Sequence, residues 1–263
     1  MTSGAPGRWD AATYHVISNP HVTWGRRVLE RLALTGHETV LDAGCGTGRL
    51  TALLLERLPE GHVVALDRDP GMLAQAREHL APFGSRVSFV EGSLLAMPAS
   101  LSVDAVFSTA TFHWVLDHDA LFASLARVLR PGGRLVAQCG GQGNLAHVLA
   151  RVDAILDEPP FRAYLGGVPL PWTYAAPDAT RARLERAGFV DVETSLEQAP
   201  TPFASADEYR MFVDRVVLGV RLAPLTDQAL HAELVDRVVA AAEHDTPPFS
   251  LDYVRLNLSG RKA

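Results

Sequence analysis

Apolar positions along the 263-residue chain fall into two alternating kinds of run. Residues 39–43, 62–66, 86–90, 104–108 and 133–138 are short and rich in Val, Leu and Phe, the signature of strands buried on both faces. Between them, residues 49–58, 70–80 and 119–129 carry apolar side chains at helical spacing. Strand–helix alternation of this kind predicts a parallel sheet with helices on both faces and ligands outside the carboxyl ends of the strands. Arg130-Pro131-Gly132-Gly133 reads as a helix stop and a turn into the fifth strand.

Beyond Gly140 the rhythm changes. Residues 144–156 read as a helix broken by Pro159-Pro160, and 159–177 is so rich in Pro and aromatics that an ordered flap is expected rather than a linker. A helix over 178–187 ends at Gly188, and strand-like alternation follows over 190–198 and again over 251–258. The stretches 205–220 and 226–244 between those strands are helical in pattern and long enough to form a lid.

Composition narrows the function classes. The net charge of −6 and pI of about 5.9, with no basic stripe, argue against a nucleic-acid partner. No apolar run reaches the roughly 18 residues of a membrane span, and the first ten residues do not look like a secretory signal. A cytoplasmic protein, monomer or homodimer, is the expectation. Cys45 and Cys139 are too few for a disulfide scaffold, and the His spacing matches no metal motif, so no metal is expected. Lys262 is the only lysine, a hint of a high-GC bacterial genome.

The most informative segment is Asp42-Ala43-Gly44-Cys45-Gly46-Thr47-Gly48, between the first strand and the first helix of the alternating region. A dinucleotide turn needs a small residue five positions after its first glycine, and Arg49 stands there. A phosphate loop needs Gly-Lys-Ser/Thr, which is absent, and the leading Asp42 repels phosphate. A second acid, Asp67, ends the next strand 25 residues on, where a carboxylate can accept two hydrogen bonds from a ribose diol. Phe89-Val90-Glu91-Gly92-Ser93-Leu94 closes the third strand, and Thr109-Ala110-Thr111-Phe112-His113-Trp114 follows the fourth.

In that order and spacing these segments resemble the class I S-adenosylmethionine-dependent methyltransferases, specifically the small-molecule type represented by trans-aconitate methyltransferases. The resemblance is strong over 35–140 and rests on pattern alone over 185–260. It implies a doubly wound, Rossmann-like α/β fold with a seven-stranded sheet, mostly parallel with the last strand antiparallel, plus a helical lid. The implied organisation is an N-terminal lid segment at 1–34 and a methyltransferase domain at 35–263 with cap insertions at about 140–177 and 204–246. The implied cofactor is S-adenosyl-L-methionine, held by Asp42, Gly44, Cys45, Gly46 and Gly48 of the loop, by Asp67 at the ribose, by Arg68 and Met72 beside the adenine, and by Gly92, Ser93, Leu94 and Thr109. Ser93 stands where the family often has Asp.

Methyl transfer from a sulfonium needs alignment and, for some acceptors, removal of a proton. His113 is the candidate base or substrate orienter, although with Trp114 it could simply wall the cofactor site. Trp9, Tyr14, His21 and Trp24 crowd the first segment, and Trp172 and Tyr174 lie in the flap; with Trp114 they are the expected substrate-pocket residues. The end of strand four has no Asp/Asn-Pro-Pro-Tyr/Phe turn, which favours a small-molecule acceptor over nucleic acid, with methylation at a hydroxyl or carboxylate oxygen expected and methylation at nitrogen or carbon the alternative. Cys45 is expected to act mainly as a small space filler. A silent adenosyl-binding subunit and a nucleotide-dependent oxidoreductase are the competing readings; the intact loop and Asp67 weigh against the first and Arg49 against the second.

Overall fold

Residues 19–263, apart from Gly166, are described by the computed structural model, with side chains from Thr23 onward. Trp9 and Tyr14 therefore lie outside the described residues, and so does the side chain of His21. The described residues group into two compact units: one comprises those as far as Gln142 with Trp172–Glu197 and Arg255–Ala263, and the other Gly143–Pro171 and Gln198–Val254.

The first unit holds a seven-stranded sheet in the order β3-β2-β1-β4-β5-β9-β6. Its strands are β1 Thr39–Ala43, β2 His62–Asp67, β3 Val87–Glu91, β4 Val103–Thr109, β5 Leu129–Gly140, β6 Phe189–Gln198 and β9 Val254–Lys262. β1 through β5 pair in parallel, whereas β9 runs antiparallel to β5, with Gly140 opposite Arg255. The strand order reverses between β1 and β4, which opens a crevice at their carboxyl ends. One face packs Leu41, Val106, Leu135 and Leu256 against α4 (His118–Val128) and Leu184 of α7 (Pro177–Arg186). The other packs Val40, Val63, Phe107 and Val136 against α1 (Asn19–Arg31) and α2 (Arg49–Glu56). α3 (Pro70–His79) starts where the Asp69 carboxylate accepts the amides of Gly71 and Met72, a side-chain cap ahead of Pro70.

The second unit is mainly helical: α5 (Ala146–Leu156), α6 (Phe161–Leu165), α8 (Ala206–Phe212), α9 (Gly219–Leu222) and α10 (Gln228–Ala242), with a π-type turn at Val213–Val217. Ser205 caps α8 by accepting the Glu208 amide, and Arg237 bridges from α10 to Glu158 at 2.7 Å.

Two strand expectations need correction. The last strand begins at Val254, because Ser250–Leu251 (β8) instead pairs with Thr201–Pro202 (β7) and the chain breaks at Asp252 and Tyr253. β5 is longer than residues 133–138, since Leu129 already pairs with Val103 before a register shift. Gly188 does follow α7, at φ 89°, with its amide on the Glu185 carbonyl.

Candidate functional site

The loop after β1 is strapped to the end of β2. Gly44 and Cys45 both donate their amides to the Leu66 carbonyl at 2.8 and 2.9 Å, and the Gly46 amide reaches Asp67 Oδ2 at 2.9 Å. The Gly48 amide turns back to the Cys45 carbonyl at 3.0 Å. A phosphate-binding loop aims such amides at its anion. Here four of them are engaged within the protein, which suits a donor without phosphate. Gly44 has no alternative: with φ of +85°, a Cβ there would stand 2.2 Å from the Thr111 hydroxyl oxygen. Gly46 is the opposite case, since a Cβ there meets nothing within 4 Å. The outer side of the loop is open.

Asp67 joins this loop to the next turn. Oδ2 takes the Gly46 amide and Oδ1 takes the Asp69 amide, each at 2.9 Å. Each oxygen keeps a second lone pair, so a diol can still be accepted. Burial pushes the Asp67 carboxyl above its ordinary range, against the pull of those amide bonds. Asp42 is buried beneath the loop, where Oδ2 accepts the Thr51 hydroxyl at 2.7 Å. Burial pushes it up to about 7, opposed by the Thr51 bond and assisted by the charge of Asp67. Cys45 turns its side chain onto Ala65 and Leu73 and fills space there. Burial raises its thiol well above the ordinary value, and the charges of Asp42 and Asp67 add to the shift.

Around this centre Arg68 is exposed and Met72 buried. The Gly92 amide bonds the Asp67 carbonyl at 3.0 Å, and a Cβ on Gly92 would meet nothing within 4 Å. Ser93 is exposed, its hydroxyl oxygen accepts the Leu95 amide at 3.1 Å, and Leu94 is buried in the core. The side chain of Ser93 thus stabilises its own turn.

The carboxyl end of β4 is tied to both neighbouring strands. Ser108 donates to the Ala43 carbonyl at 2.7 Å, and the Ala110 amide reaches the Gln138 carbonyl at 2.8 Å. The Thr111 hydroxyl lies 2.9 Å from the Thr109 carbonyl and 3.3 Å from that of Gly44. Ala110 holds φ of +53°, a left-handed conformation that disfavours a Cβ. His113 is buried, and its Nδ1 lies 3.3 Å from the Gly140 amide nitrogen. Since that amide can only donate, a neutral ring carries its proton on Nε2.

His113 is one corner of an aromatic cluster. Its ring centroid lies 5.0 Å from Trp114 and 5.8 Å from Tyr174, Trp172 meets Trp114 edge-on at 5.6 Å, and Trp172 stacks on Tyr174 at 5.9 Å. The Thr173 amide bonds the His113 carbonyl at 2.8 Å, anchoring the flap strand to the end of β4. The sequence-predicted residues Trp114, Trp172 and Tyr174 are therefore brought together with His113. Trp24 is placed elsewhere, on α1, with its ring 4.7 Å from the Arg255 guanidinium.

Three residues escaped the sequence reading. Thr111 and Ala110 gave no signal, because a small residue after a strand shows neither its φ nor its partner. Arg255 lies in the alternating strand at 251–258, where alternation does not show that α1 packs over its face.

A methyltransferase-domain family matches residues 40–133. A trans-aconitate 2-methyltransferase of Methylobacterium nodulans is 32% identical over 97% of this chain and 98% of its own length. Another from an Acidovorax species is 36% identical over 49% of each chain. Among solved structures, a sarcosine dimethylglycine methyltransferase from Galdieria sulphuraria superposes with a TM-score of 0.60 at 18% identity, covering 92% of this chain and 86% of the other. With near full-length kinship to such enzymes, the chain belongs to the class I S-adenosylmethionine-dependent methyltransferases and methylates a small molecule with S-adenosylmethionine as donor.

Proposed function

We propose that this enzyme methylates a carboxylate oxygen of a small carboxylic acid, giving a methyl ester. The observation that carries the reading is the Gly140 amide on His113 Nδ1, which makes the neutral imidazole a donor through Nε2 rather than a base. An alcohol or amine acceptor has a proton to lose, whereas a carboxylate is already ionised at neutral pH. The relatives named for trans-aconitate, a polycarboxylic acid, support the same class.

When bound, S-adenosylmethionine supplies an electrophilic methyl group on a sulfonium. Asp67 is assigned to the ribose hydroxyls, the open side of Gly46 and Gly92 to the adenosyl body, and Met72, Leu94 and Arg68 to the adenine surroundings. Gly44, Gly48, Asp42, Cys45 and Thr109 shape this cradle from behind, and Ser93 holds the turn beside it. His113 Nε2–H donates to the acceptor carboxylate and orients it, while Trp114, Trp172 and Tyr174 exclude water and enclose the acceptor's carbon frame.

The test is a screen of carboxylic acids, phenols, alcohols and amines with a donor carrying a labelled methyl group. Label released by mild alkali, as from an ester, is the expected outcome; label held in a base-stable ether or amine overturns the reading. His113→Gln should lower kcat by about tenfold or less, with a pH profile unchanged from pH 6 to 9, whereas loss of a true base costs about 10²–10⁴.

A further inference from the structure

His118 is the first residue of α4 and only 4% exposed, a costly place for an ionisable side chain. Its Nε2 stands 3.1 Å from the Phe112 carbonyl oxygen. A carbonyl can only accept, so Nε2 carries the ring proton and donates it. Nδ1 is then a bare lone pair, buried and without a partner among the described residues. The ring packs on Phe122 at 5.9 Å, and Phe122 meets Phe112 edge-on at 6.2 Å.

Phe112 begins the short turn Phe112–Trp114 that carries His113, just after the left-handed Ala110. The Trp114 amide bonds the Thr111 carbonyl at 2.9 Å and the Val115 amide bonds the Phe112 carbonyl at 3.0 Å, and both bonds stay inside the turn. The His118 bond ties the same Phe112 carbonyl to the head of α4, which Leu121, Phe122 and Leu125 fix in the core. On the other side, Gly140 and Thr173 hold the ring and the carbonyl of His113. Burial holds the His118 imidazole below its ordinary value with the help of the Arg183 charge from α7, against the Phe112 bond and the carboxylates of Asp119 and Asp117. Asp119 is itself kept low by Arg186 and Arg183, so it stays ionised while the ring titrates. A protonated ring would bury a charge and a second N–H with no acceptor, and moving out to water is then the cheaper course.

We infer that His118 is a positioning residue: as a neutral ring it holds the Phe112 carbonyl and so fixes the turn that aims His113 at the acceptor, and it lets that turn loosen when it takes up a proton. This rests on the orienting role proposed for His113, but the hold on the turn can be read with no acceptor present.

The test is amide hydrogen exchange on the full chain between about pH 5 and 7.5, comparing wild type, His118→Gln and His118→Leu at each pH. Gln offers an N–H where Nε2 stands but does not titrate, and Leu offers none. At the upper pH, His118→Gln should match wild type at the amides of Trp114, Val115 and Thr173. His118→Leu should exchange them about three- to tenfold faster, the range for one lost hydrogen bond, with the amides of β1 and β2 unchanged. At the lower pH, wild type should exchange the three amides faster than His118→Gln by a similar factor. With trans-aconitate as acceptor, His118→Leu should lower kcat no further than His113→Gln does, and the double variant should lose nothing more, because the two act as one unit. Wild-type exchange in His118→Leu, a ratio of wild type to His118→Gln that does not change with pH, or losses that multiply in the double variant each overturn the role of His118. If His118→Leu does not fold, the comparison of wild type with His118→Gln across pH decides alone. A wild type that methylates no carboxylic acid overturns ester formation, and the exchange result still decides on His118.

Discussion

The carboxyl end of the sheet has two halves that are built differently. The β1–β2–β3 half is made of backbone: four loop amides, two glycines with open outer sides, and one carboxylate clamped by two amides. The β4–β5 half is made of side chains, His113, Trp114, Trp172 and Tyr174, drawn from two stretches far apart in sequence. If the first half holds the donor and the second the acceptor, as proposed above, donor binding rests on backbone geometry set within one stretch of chain, and acceptor binding on side chains assembled across long sequence distances. Changes in one half should therefore leave the other half's ligand largely alone.

The largest expected effect belongs to Gly46→Val. Its side chain would project into the open side of the loop at a φ of +54°, so donor binding should vanish while the fold survives with a strain of about 1–3 kcal/mol. Calorimetry with S-adenosylhomocysteine reads this, and wild-type affinity would remove the loop from the donor site. Next comes a matched pair. Asp67→Ala should weaken S-adenosylhomocysteine binding by about 1.5–3 kcal/mol, whereas Trp172→Ala should raise the acceptor KM and leave that binding unchanged. If both variants shift both ligands equally, the division into halves fails.

The smallest effect concerns stability and Asp42. Its folded carboxyl is raised to about 7 from an ordinary 3.8, so its contribution is most favourable below about pH 4 and is lost as pH rises towards 7. Asp42→Asn keeps an acceptor for the Thr51 hydroxyl and removes that loss. The variant's Tm should gain on wild type progressively from pH 4 to 7.5 and stay level above. A difference independent of pH would show that Asp42 does not titrate in this range.

The same division explains what could be read in advance. β1, β2 and the loop were legible because apolar runs, glycines and the strand-end Asp67 follow one another within 30 residues and each constrains its neighbour. The His113–Trp114 pair was visible, but its meeting with Trp172 and Tyr174 depends on the Thr173 amide finding the His113 carbonyl, a contact no local pattern encodes. Arg255 was hidden because alternation marks a polar face without showing whether a helix will cover it. The start of β9 was misplaced for a related reason: Leu251 continues the alternation but pairs with Thr201 in a separate ribbon.

Cys45 carries a chemical consequence of its own. A sulfonium methyl group alkylates thiolates readily, and this chain keeps a thiol inside the very loop proposed to cradle one. Burial and the adjoining charges of Asp42 and Asp67 hold that sulfur protonated, and its packing on Ala65 and Leu73 turns it into the protein. Burial first, and the two carboxylates after it, would thus keep this sulfur from competing with the acceptor for the methyl group.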